Sequence, residues 1–389
     1  MSSETFVEKM KSIQSSLLEF LEEELDVEDK YDNFINLIST QQIIKEKHEF
    51  KALLQLIGSI ANNHHRAWNF ISKVERVLRQ FKQDLQKYFS NSEIFDIFKD
   101  NKRILLFLLE EKLMAIDEYI FSIMTSDKYV IWNYCEYFRP EIKPFFTQEN
   151  IEKYCIKNGS LLESEFIERM NKEVEANFYE KRREGLNDDY LCELIRFDKI
   201  KEFVRFVEQT NLSLKSVIKK SIYETNQFLV TGYNVTLLKY ASFFGSIKIV
   251  QYIIKKTKKV DSEMWIYSIH ANNAKMIHLL EEYQIEPDPK QILRESIKCH
   301  HNEVSNYIIN YLIKEKDLQN NIENNYYDNL YRYAAESYNY CFFPANMKYK
   351  NMFLYLFEFD YYTLVKLYLT EGNIDINAKI KILIIQTEF

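Results

Sequence analysis

Two short runs of residues have the types needed for metal binding or nucleophilic catalysis. Cys299-His300-His301 places a thiol next to two imidazoles, and His64-His65 places two imidazoles side by side. These groups bind zinc, and a thiol with an imidazole forms a common pair of nucleophile and base. Neighbouring helical residues point about 100° apart, so neither run converges on one point without an irregular turn. We therefore predict that neither run holds a metal, and we interpret both as surface or helix-end residues.

Paired carboxylates are the other candidates for chemistry, because one can act as general acid and the other as base. Residues 22–24 and the pair Glu110-Glu111 are acidic, but they lie in helical stretches with lysines nearby and no sign of an apolar pocket. The motifs G-x-x-x-x-G-K-[ST], G-x-G-x-x-G and G-x-S-x-G are all absent from the sequence. We predict no catalytic residue, no enzyme activity and no cofactor. An enzyme without a recognisable motif is a remote alternative.

The composition favours a helical protein with a sizeable core. Of the 389 residues, 46% are hydrophobic and 28% are charged, which is typical of a folded chain. Only 6 glycines and 5 prolines occur, and so few turn residues favour long helices over a sheet with many tight turns. We interpret the 28 tyrosines and 28 phenylalanines as core residues at positions where leucine is more usual.

The charge distribution argues against a phosphate-binding surface. The net charge is −7, whereas nucleic-acid binding needs clustered cations, so we predict no nucleic-acid partner. One local run of lysines, Lys255, Lys256, Lys258 and Lys259, could contact an acidic partner. Such a run is more often the solvated end of a helix, where cations complement the helix dipole.

The cysteines and the hydropathy predict where the protein resides. The five cysteines (Cys135, Cys155, Cys192, Cys299 and Cys341) are scattered, odd in number and form no C-x-x-C, which indicates free thiols in a reducing compartment. The first residues show no secretory signal, and the longest apolar run, residues 104–109, is too short to span a bilayer. We expect a soluble, cytoplasmic protein with no membrane span.

Helical periodicity extends through most of residues 1–185. Apolar residues recur every three or four positions in four segments, at about 6–25, 34–44, 50–61 and 68–85, and these predict an antiparallel helical bundle. Shorter helical segments follow, at 94–98, 104–114, 116–124 and 130–138. A helix predicted at 161–183 then leads to Gly185, where we place the domain boundary.

One stretch, TLLKYASFFGSIKIVQYII at residues 236–254, predicts two short helices joined by a turn. Ala241 is small where the two helices must come close, and Ile249, Val250 and Ile253 continue an apolar face at helical spacing. Gly245 follows the first helix at the position where the backbone becomes left-handed and a Cβ is unfavourable.

The same pattern lies over four other stretches without gaps, at residues 191–207, 265–280, 293–309 and 353–369. At the turn position, the five stretches carry residue types that tolerate positive φ. These turn residues are Asp198, Gly245, Asn272, His300 and Asp360. An insertion rich in asparagine and tyrosine occupies about 314–350, with a short helix predicted at 331–337.

The central stretch resembles the ankyrin repeat, whose signature is T-P-L-H-x-A followed by a glycine and an apolar second helix. Thr236, Leu238, Ala241, Gly245 and Val250 match that signature, whereas positions 237 and 239 hold leucine and lysine in place of proline and histidine. The sequence GNIDINA at 372–378 also resembles the ankyrin finger. With its helical N-terminal half, the chain looks like the divergent ankyrin proteins expanded in some protist parasites.

The resemblance implies an all-α fold with an N-terminal helical bundle followed by an ankyrin-like helical solenoid of about five degenerate repeats. The implied domains are 1–185, a helical domain; 186–379, a repeat domain with the insertion near 314–350; and 380–389, a tail. Because the tail lacks a polar capping helix, we predict either that the array continues further or that the tail folds back.

The resemblance also implies a function, which is a scaffold that binds an unidentified protein partner through the ankyrin groove, without catalysis. In ankyrin proteins the two residues before the turn glycine face this groove. The equivalent candidates here are Arg196, Phe197, Phe243, Phe244, His270, Ala271, Lys298, Cys299, Glu358 and Phe359. The phenylalanines would form an exposed apolar patch, unless the insertion or the N-terminal half covers them. An alternative function is a regulatory adaptor that links a client to another complex, for example a ubiquitin-ligase subunit.

Overall fold

The computed structural model describes residues 1–23, 28–65, 69–125, 134–147, 149, 173–313, 323–347, 349 and 351–372. These residues form 22 α-helices and no β-strand, which confirms the predicted all-α class. An isolated antiparallel bridge joins Val217 and Thr236. None of the described helices combines the length and the apolar character needed to cross a membrane.

Several sequence predictions fall on residues outside this description. They concern Cys155, residues 130–133 of the segment predicted at 130–138, most of the helix predicted at 161–183, residues 373–378 of the finger-like sequence and the tail at 380–389. These predictions therefore remain untested.

The α-helices of the first part of the chain are α1 (Ser3–Glu22), α2 (Glu28–Thr40), α3 (Lys47–Asn63), α4 (Phe70–Gln80), α5 (Lys82–Tyr88), α6 (Asn91–Phe98), α7 (Lys102–Glu110), α8 (Glu118–Met124), α9 (Arg139–Ile142) and α10 (Phe178–Glu184). The later ones are α11 (Tyr190–Arg196), α12 (Ile200–Thr210), α13 (Gln227–Thr231), α14 (Leu237–Phe243), α15 (Ile247–Thr257), α16 (Met264–His270), α17 (Ala274–Glu282), α18 (Pro289–Lys298), α19 (Asn302–Tyr307), α20 (Glu323–Glu336), α21 (Met352–Glu358) and α22 (Tyr362–Thr370). A π-helical segment, Ile308–Ile313, continues α19.

The chain packs as two compact units. One contains Met1–Ser59 together with Leu293–Phe389, and the other contains Ile60–Ile292. The division falls within α3 and within α18. Residues on both sides of Gly185 belong to the second unit, and the domain boundary proposed at that residue remains a prediction.

The N-terminal helices follow the apolar periodicity closely. Helices α1 and α3 confirm the first and third predicted segments. The second segment is divided, since α2 ends at Thr40 and Ile43–Lys45 form a 3-10 helix, and the fourth is divided at the buried Phe81 into α4 and α5. Ser90 then caps α6, with Glu93 completing a capping box, which satisfies two N–H groups that the helix itself leaves unpaired. Within the first unit, α1 packs against α2 and α22.

Five helix pairs have the predicted turn residue between them. The pairs are α11–α12, α14–α15, α16–α17, α18–α19 and α21–α22. Their turn residues all have left-handed φ angles, of 48° at Asp198, 69° at Gly245, 45° at Asn272, 58° at His300 and 59° at Asp360. The prediction that this column tolerates positive φ is therefore confirmed at all five positions.

The hydrogen bonds of these turns are also repeated. Each turn residue donates its N–H to the carbonyl three residues earlier, as Gly245 does to Ser242 at 3.2 Å. In four of the five, the residue after the turn residue donates its N–H to the carbonyl five residues before it, as Ser246 does to Ala241 at 2.9 Å. Together these two bonds form the Schellman motif, which satisfies carbonyls at a helix end.

In the second unit, three consecutive pairs are stacked in register. The first helices α11, α14 and α16 pack in succession, and the second helices α12 and α15 also pack together. The Ser246 hydroxyl donates to the carbonyl of Ile195 at 2.5 Å. A Cβ at Gly245 would lie 3.2 Å from the Asn273 amide. Neighbouring turns are thus in direct contact.

The insertion contains more regular structure than expected. In place of a short helix at 331–337, α20 covers Glu323–Glu336 and packs against α21. It ends at Tyr338, where φ is 54°, and the N–H of Asn339 bonds to the carbonyl of Ala334 at 2.9 Å. Helix α20 therefore ends in the same type of turn as the first helix of a pair.

Candidate functional site

The candidate partner-binding residues are the two positions that precede each turn residue, which we call the pre-turn positions. In the second unit they are Arg196 and Phe197, Phe243 and Phe244, and His270 and Ala271; in the first unit they are Lys298 and Cys299, and Glu358 and Phe359. In each unit they lie at the C-terminal end of the first helix of a pair or just beyond it. Their accessibility differs widely.

Phe197 is the most accessible aromatic pre-turn residue. It ends α11 and its side chain is 65% exposed, with the Lys199 ammonium 5.2 Å from the ring centroid. An exposed ring beside a cation offers a partner both apolar area and charge. Phe197 therefore meets the requirement of the predicted site.

Arg196 is instead positioned by hydrogen bonds inside the protein. Its Nη1 donates to the carbonyl of Asn187 at 2.7 Å and to the hydroxyl of Tyr240 at 3.0 Å. Tyr240 lies in α14, so this contact links one helix pair to the next. Burial, with the Glu224 carboxylate nearby, raises the pKa of Tyr240 well above its ordinary value, and the hydroxyl is therefore available as a hydrogen-bonding group at neutral pH.

Phe243 is not an exposed residue. It is 7% exposed and its ring stacks on Phe228 at 6.0 Å and on His270 at 4.8 Å between centroids. Phe228 also contacts His270 at 4.2 Å and Tyr267 at 4.9 Å. The rings of these residues, with the half-buried Phe244, form an aromatic cluster that consolidates α14 and α16.

Phe228 belongs to α13, a short helix that the sequence reasoning did not predict. Asn226 caps it, accepting the N–H of Leu229 at 3.2 Å. The expected alternatives for covering Phe243 were the insertion and the N-terminal half, but the ring that stacks on it comes from neither. The exposed apolar surface at Phe243 and Phe244 is consequently smaller than the patch of phenylalanines that was predicted.

In the first unit, the charged pre-turn residues are held in ion pairs. Lys298 bonds to Glu295 at 3.2 Å, and Glu358 bonds to Arg332 of α20 at 2.7 Å. Phe359 is half-buried. The adjacent Phe357 is 58% exposed, whereas Leu356 before it is buried. Phe357 was missed because it lies one position before the pre-turn pair.

The residues that first suggested metal or thiol chemistry are buried at helix ends. Cys299, His300 and His301 are all buried around the turn that follows α18, and His64 is 1% exposed at the end of α3. The helix-end interpretation is confirmed and surface exposure was the wrong expectation. Burial raises the pKa of the Cys299 thiol well above its ordinary value, so this thiol is protonated at neutral pH.

His300 takes part in a buried polar network in the first unit. Its Nδ1 lies 3.1 Å from the Gln14 amide nitrogen, and its Nε2 lies 3.4 Å from the Ser59 hydroxyl. The same Gln14 nitrogen donates to Asn339 Oδ1 at 2.7 Å. The network connects α1 to the turn after α18 and to the end of the insertion. Buried polar groups need hydrogen-bond partners, and here Gln14, His300 and Asn339 provide them for one another.

Known protein families, curated proteins and solved structures were compared with this chain, and none of the three comparisons found a match. The interpretation of the site therefore rests on the geometry above.

Proposed function

We propose that this chain is a protein-interaction scaffold, in which the five helix pairs are degenerate repeats of an ankyrin-like solenoid and the N-terminal helices form a bundle that positions or protects it. The partner is a protein, and it contacts the surface near the pre-turn positions. The accessible residues there are Phe197 and, in the first unit, Glu358 and the adjacent Phe357.

The observation that carries this proposal is the register of three successive pairs in the second unit. The turns at Asp198 and Gly245 have the same backbone geometry, and hydrogen bonds from one pair reach the next. A repeat that buries its face against its neighbours presents an extended surface and needs no catalytic centre. An exposed aromatic ring such as Phe197 is the type of residue that anchors protein interfaces.

The fold argues for recognition of folded or extended protein rather than of a small molecule. The aromatic cluster around Phe243 is closed by Phe228, so it rigidifies the surface instead of opening a ligand cavity. Rigid repeat surfaces bind partners with little rearrangement, and this reduces the entropy cost of association.

Site-specific photocrosslinking of the full chain in its native cell extract tests the proposal. A photoreactive phenylalanine analogue would replace Phe197, and matched proteins would carry it at Tyr179 or Tyr311, which are also exposed. We expect one protein to crosslink at position 197 and not at the two control positions. The same set of proteins at all three positions, or none at 197, would contradict the proposal.

A further inference from the structure

One segment of the second unit has a charge opposite to that of the whole protein. Residues 212–260 contain nine lysines, no arginine and a single glutamate, although the complete chain has a net charge of −7. The glutamate, Glu224, is buried and accepts the backbone N–H groups of Asn187 and Asn226. The surface charge of this segment is therefore almost entirely positive.

Seven of these lysines form what we call the lysine edge, and all seven are exposed. They are Lys215, Lys219, Lys220, Lys255, Lys256, Lys258 and Lys259. Within the part of the chain that the structure describes, none of the seven forms an ion pair. Elsewhere lysines do pair with acids, as Lys9 does with Glu49 at 2.6 Å and Lys181 does with Asp188 at 2.8 Å.

The two halves of the lysine edge come together because α12 and α15 run side by side. Asp198, just before α12, bonds to the first turn of α15, so both helices start at the same level. Both contain eleven residues, and the rings of Phe203 and Tyr252 lie 6.2 Å apart between them. Their C-terminal ends, about 16 Å from these starts, therefore lie on the same side of the unit.

The chain that leaves these two ends carries the lysines. After α12 it turns at Asn211 and leads to Lys215, Lys219 and Lys220. Lys258 and Lys259 directly follow Thr257, the last residue of α15. Both groups flank the start of α14. The carbonyl of Ser216 accepts the N–H of Leu237, the first residue of α14, at 3.1 Å. This bond holds the segment with Lys215, Lys219 and Lys220 against the start of α14.

The second group is held near α14 by the residues that follow it in the chain. Lys239 of this helix forms an ion pair with Glu263 and lies 3.6 Å from Asp261. Asp261 and Glu263 come soon after Lys259 in the chain. Their ion pairs with Lys239 partly neutralise their negative charge. The positive charge of the edge is thus left to face solvent.

An extended backbone crosses the lysine edge, and among the described residues no hydrogen bond is made on one side of it. Ile218 donates to Val235 at 2.9 Å and Leu237 donates to Ser216, which brackets the antiparallel bridge between Val217 and Thr236. In such a ladder the N–H and C=O of the residue between the two bonded positions point away from the partner strand. Val217 is 50% exposed, and Val260, which directly follows Lys259 in the chain, is 47% exposed.

We infer that the lysine edge binds an acidic, extended segment of a protein partner, which adds as a strand to the free side of Val217. Carboxylates of the segment pair with the lysines, and its apolar residues contact Val217 and Val260. Addition of a strand to an open edge is a general mode of peptide recognition. The inference rests on the proposed scaffold function and adds a second contact surface, at the opposite ends of α12 and α15 from the pre-turn positions.

Three observations favour a protein over a nucleic acid or a membrane. The edge uses lysine alone, whereas bidentate recognition of phosphate is the property of arginine. Its free backbone groups match a peptide, and neither a duplex nor a lipid headgroup presents alternating N–H and C=O groups. The negative charge of the rest of the chain also repels a large polyanionic surface more strongly than it repels a short segment.

Fluorescence anisotropy with the full chain tests the inference. The probe is a short fluorescent peptide that alternates glutamate and valine, and the reference peptide replaces glutamate with lysine. We expect the acidic peptide to bind more tightly, and to bind less tightly as salt is added. Equal affinity for the two peptides, or no binding of the acidic one, would overturn the inference.

Two variants with equal loss of charge separate the edge from the general charge of the protein. One replaces Lys255, Lys256, Lys258 and Lys259 with glutamine; the control replaces the exposed Lys201, Lys275, Lys290 and Lys366 with glutamine. Glutamine avoids a new acid at a helix C-terminus. We expect the first variant to lose about tenfold or more in affinity, which corresponds to about 1.4 kcal/mol, and the control to change little. Equal losses would overturn the inference.

A third variant, Val217→Pro, removes the free N–H without changing the charge, and proline is tolerated at an unpaired edge position. Weaker binding of the acidic peptide supports strand addition, and unchanged affinity rejects it. Thermal unfolding of each variant confirms that it is folded. Stronger competition by a DNA duplex or by phosphatidylserine vesicles would assign the edge to another macromolecule and overturn the inference. If position 197 still crosslinks to a protein in that case, the scaffold function stands while this inference fails.

Discussion

The carboxylate of Asp198 accepts the backbone N–H of Ile249 at 3.0 Å, and so joins the turn of one helix pair to the second helix of the next. The same carboxylate also accepts the N–H of Lys248 at 3.2 Å. These N–H groups belong to the first turn of α15, where they have no partner within the helix. Asp198 thus has two roles, since it also adopts a left-handed φ of 48°.

Substitutions at Asp198 are expected to separate these two roles. Asp198→Ala removes the cap and keeps the strained backbone, and should lower the free energy of unfolding by about 1–2 kcal/mol. Asp198→Gly also removes the cap but relieves the strain, so its cost should be smaller. Urea denaturation followed by circular dichroism measures both. Lys201→Ala, at an exposed position of the same pair, is the control, and an alanine variant as stable as this control would show that the cap contributes nothing.

Gly245 offers a test of how closely successive turns approach. Gly245→Ala places a side chain at a φ of 69° and puts its Cβ 3.2 Å from Asn273 and 3.4 Å from Ala271. Gly372→Ala introduces the same strain at a φ of 67°, with no described residue within 4 Å of the new Cβ. Each should lose about 1 kcal/mol from backbone strain, and Gly245→Ala should lose more because its neighbours must also move. Equal losses in denaturation experiments would mean that the contact between the turns is easily relaxed.

The Asp188 carboxylate predicts a specific dependence of stability on pH. Burial acts to raise its pKa, but the hydrogen bonds from Lys181 and Ser221 outweigh burial, and the pKa is lower than the ordinary 3.8. A carboxyl group with a depressed pKa in the folded state contributes stability above its unfolded pKa and loses it as the pH falls through the folded one. The stability difference between the wild type and Asp188→Asn should therefore be largest near neutral pH.

That difference should shrink as the pH falls below about 3.8, and denaturation at a series of pH values measures it. In a Lys181→Met background the dependence on pH should be weaker, because the main hydrogen-bonding partner of the carboxylate is gone. A difference between wild type and Asp188→Asn that stays constant down to the acid limit would contradict the assignment.

The cysteines should differ in reactivity according to their burial. Burial, together with the nearby Asp189 carboxylate, raises the pKa of the Cys192 thiol to about 12. Only about one thiol in ten thousand is then ionised at pH 8, and the thiolate is the form that reacts. Cys341 is only half-buried. Alkylation with iodoacetamide, followed by mass spectrometry, should modify Cys341 well before Cys192. The reverse order would contradict the burial of the Cys192 thiol in α11.

Much of the local structure was predictable because it depends on residues close together in the sequence. The turn column was recognised because Gly, Asn, Asp and His tolerate positive φ, and all five turn residues adopt it. The same turn also ends α7 at Lys112 and α20 at Tyr338, where the residue type gave no signal. Turn geometry is therefore a property of helix ends, and only its regular position within the pairs indicates a repeat.

The candidate site was predicted less completely, since burial depends on contacts between distant residues. The sequence pattern placed Phe197 and Phe243 at the two pre-turn positions of their helix pairs. In the structure, Phe228 of α13 stacks on Phe243 and buries it, whereas Phe197 remains exposed. Helix α13 has only five residues, too few to show a period. The lysine edge was recognised only in its α15 half, because the bridge at Val217 that connects the other half is isolated and has no alternating pattern around it.

The buried contact between Gln14 and Asn339, separated by 325 positions, is the clearest case of a relationship that no local pattern reveals. Gln14 is completely buried within the apolar face of α1 and also lies 3.1 Å from His300. Gln14→Leu should leave the Asn339 oxygen without its donor and lower the free energy of unfolding by about 1–3 kcal/mol, the cost of an unsatisfied buried polar group.

The matched control is Gln86→Leu, an exposed glutamine whose amide bonds to the carbonyl of Lys112 at 3.1 Å. Water can replace that bond, so this substitution should change stability by less than about 0.5 kcal/mol. The double variant Gln14→Leu, Asn339→Leu also removes the buried Asn339 oxygen that the single change leaves without its donor, and should therefore be more stable than Gln14→Leu alone. If the double variant is instead less stable than Gln14→Leu alone, the contacts of Asn339 with Ile297 and Asn302 contribute more than the unpaired oxygen costs.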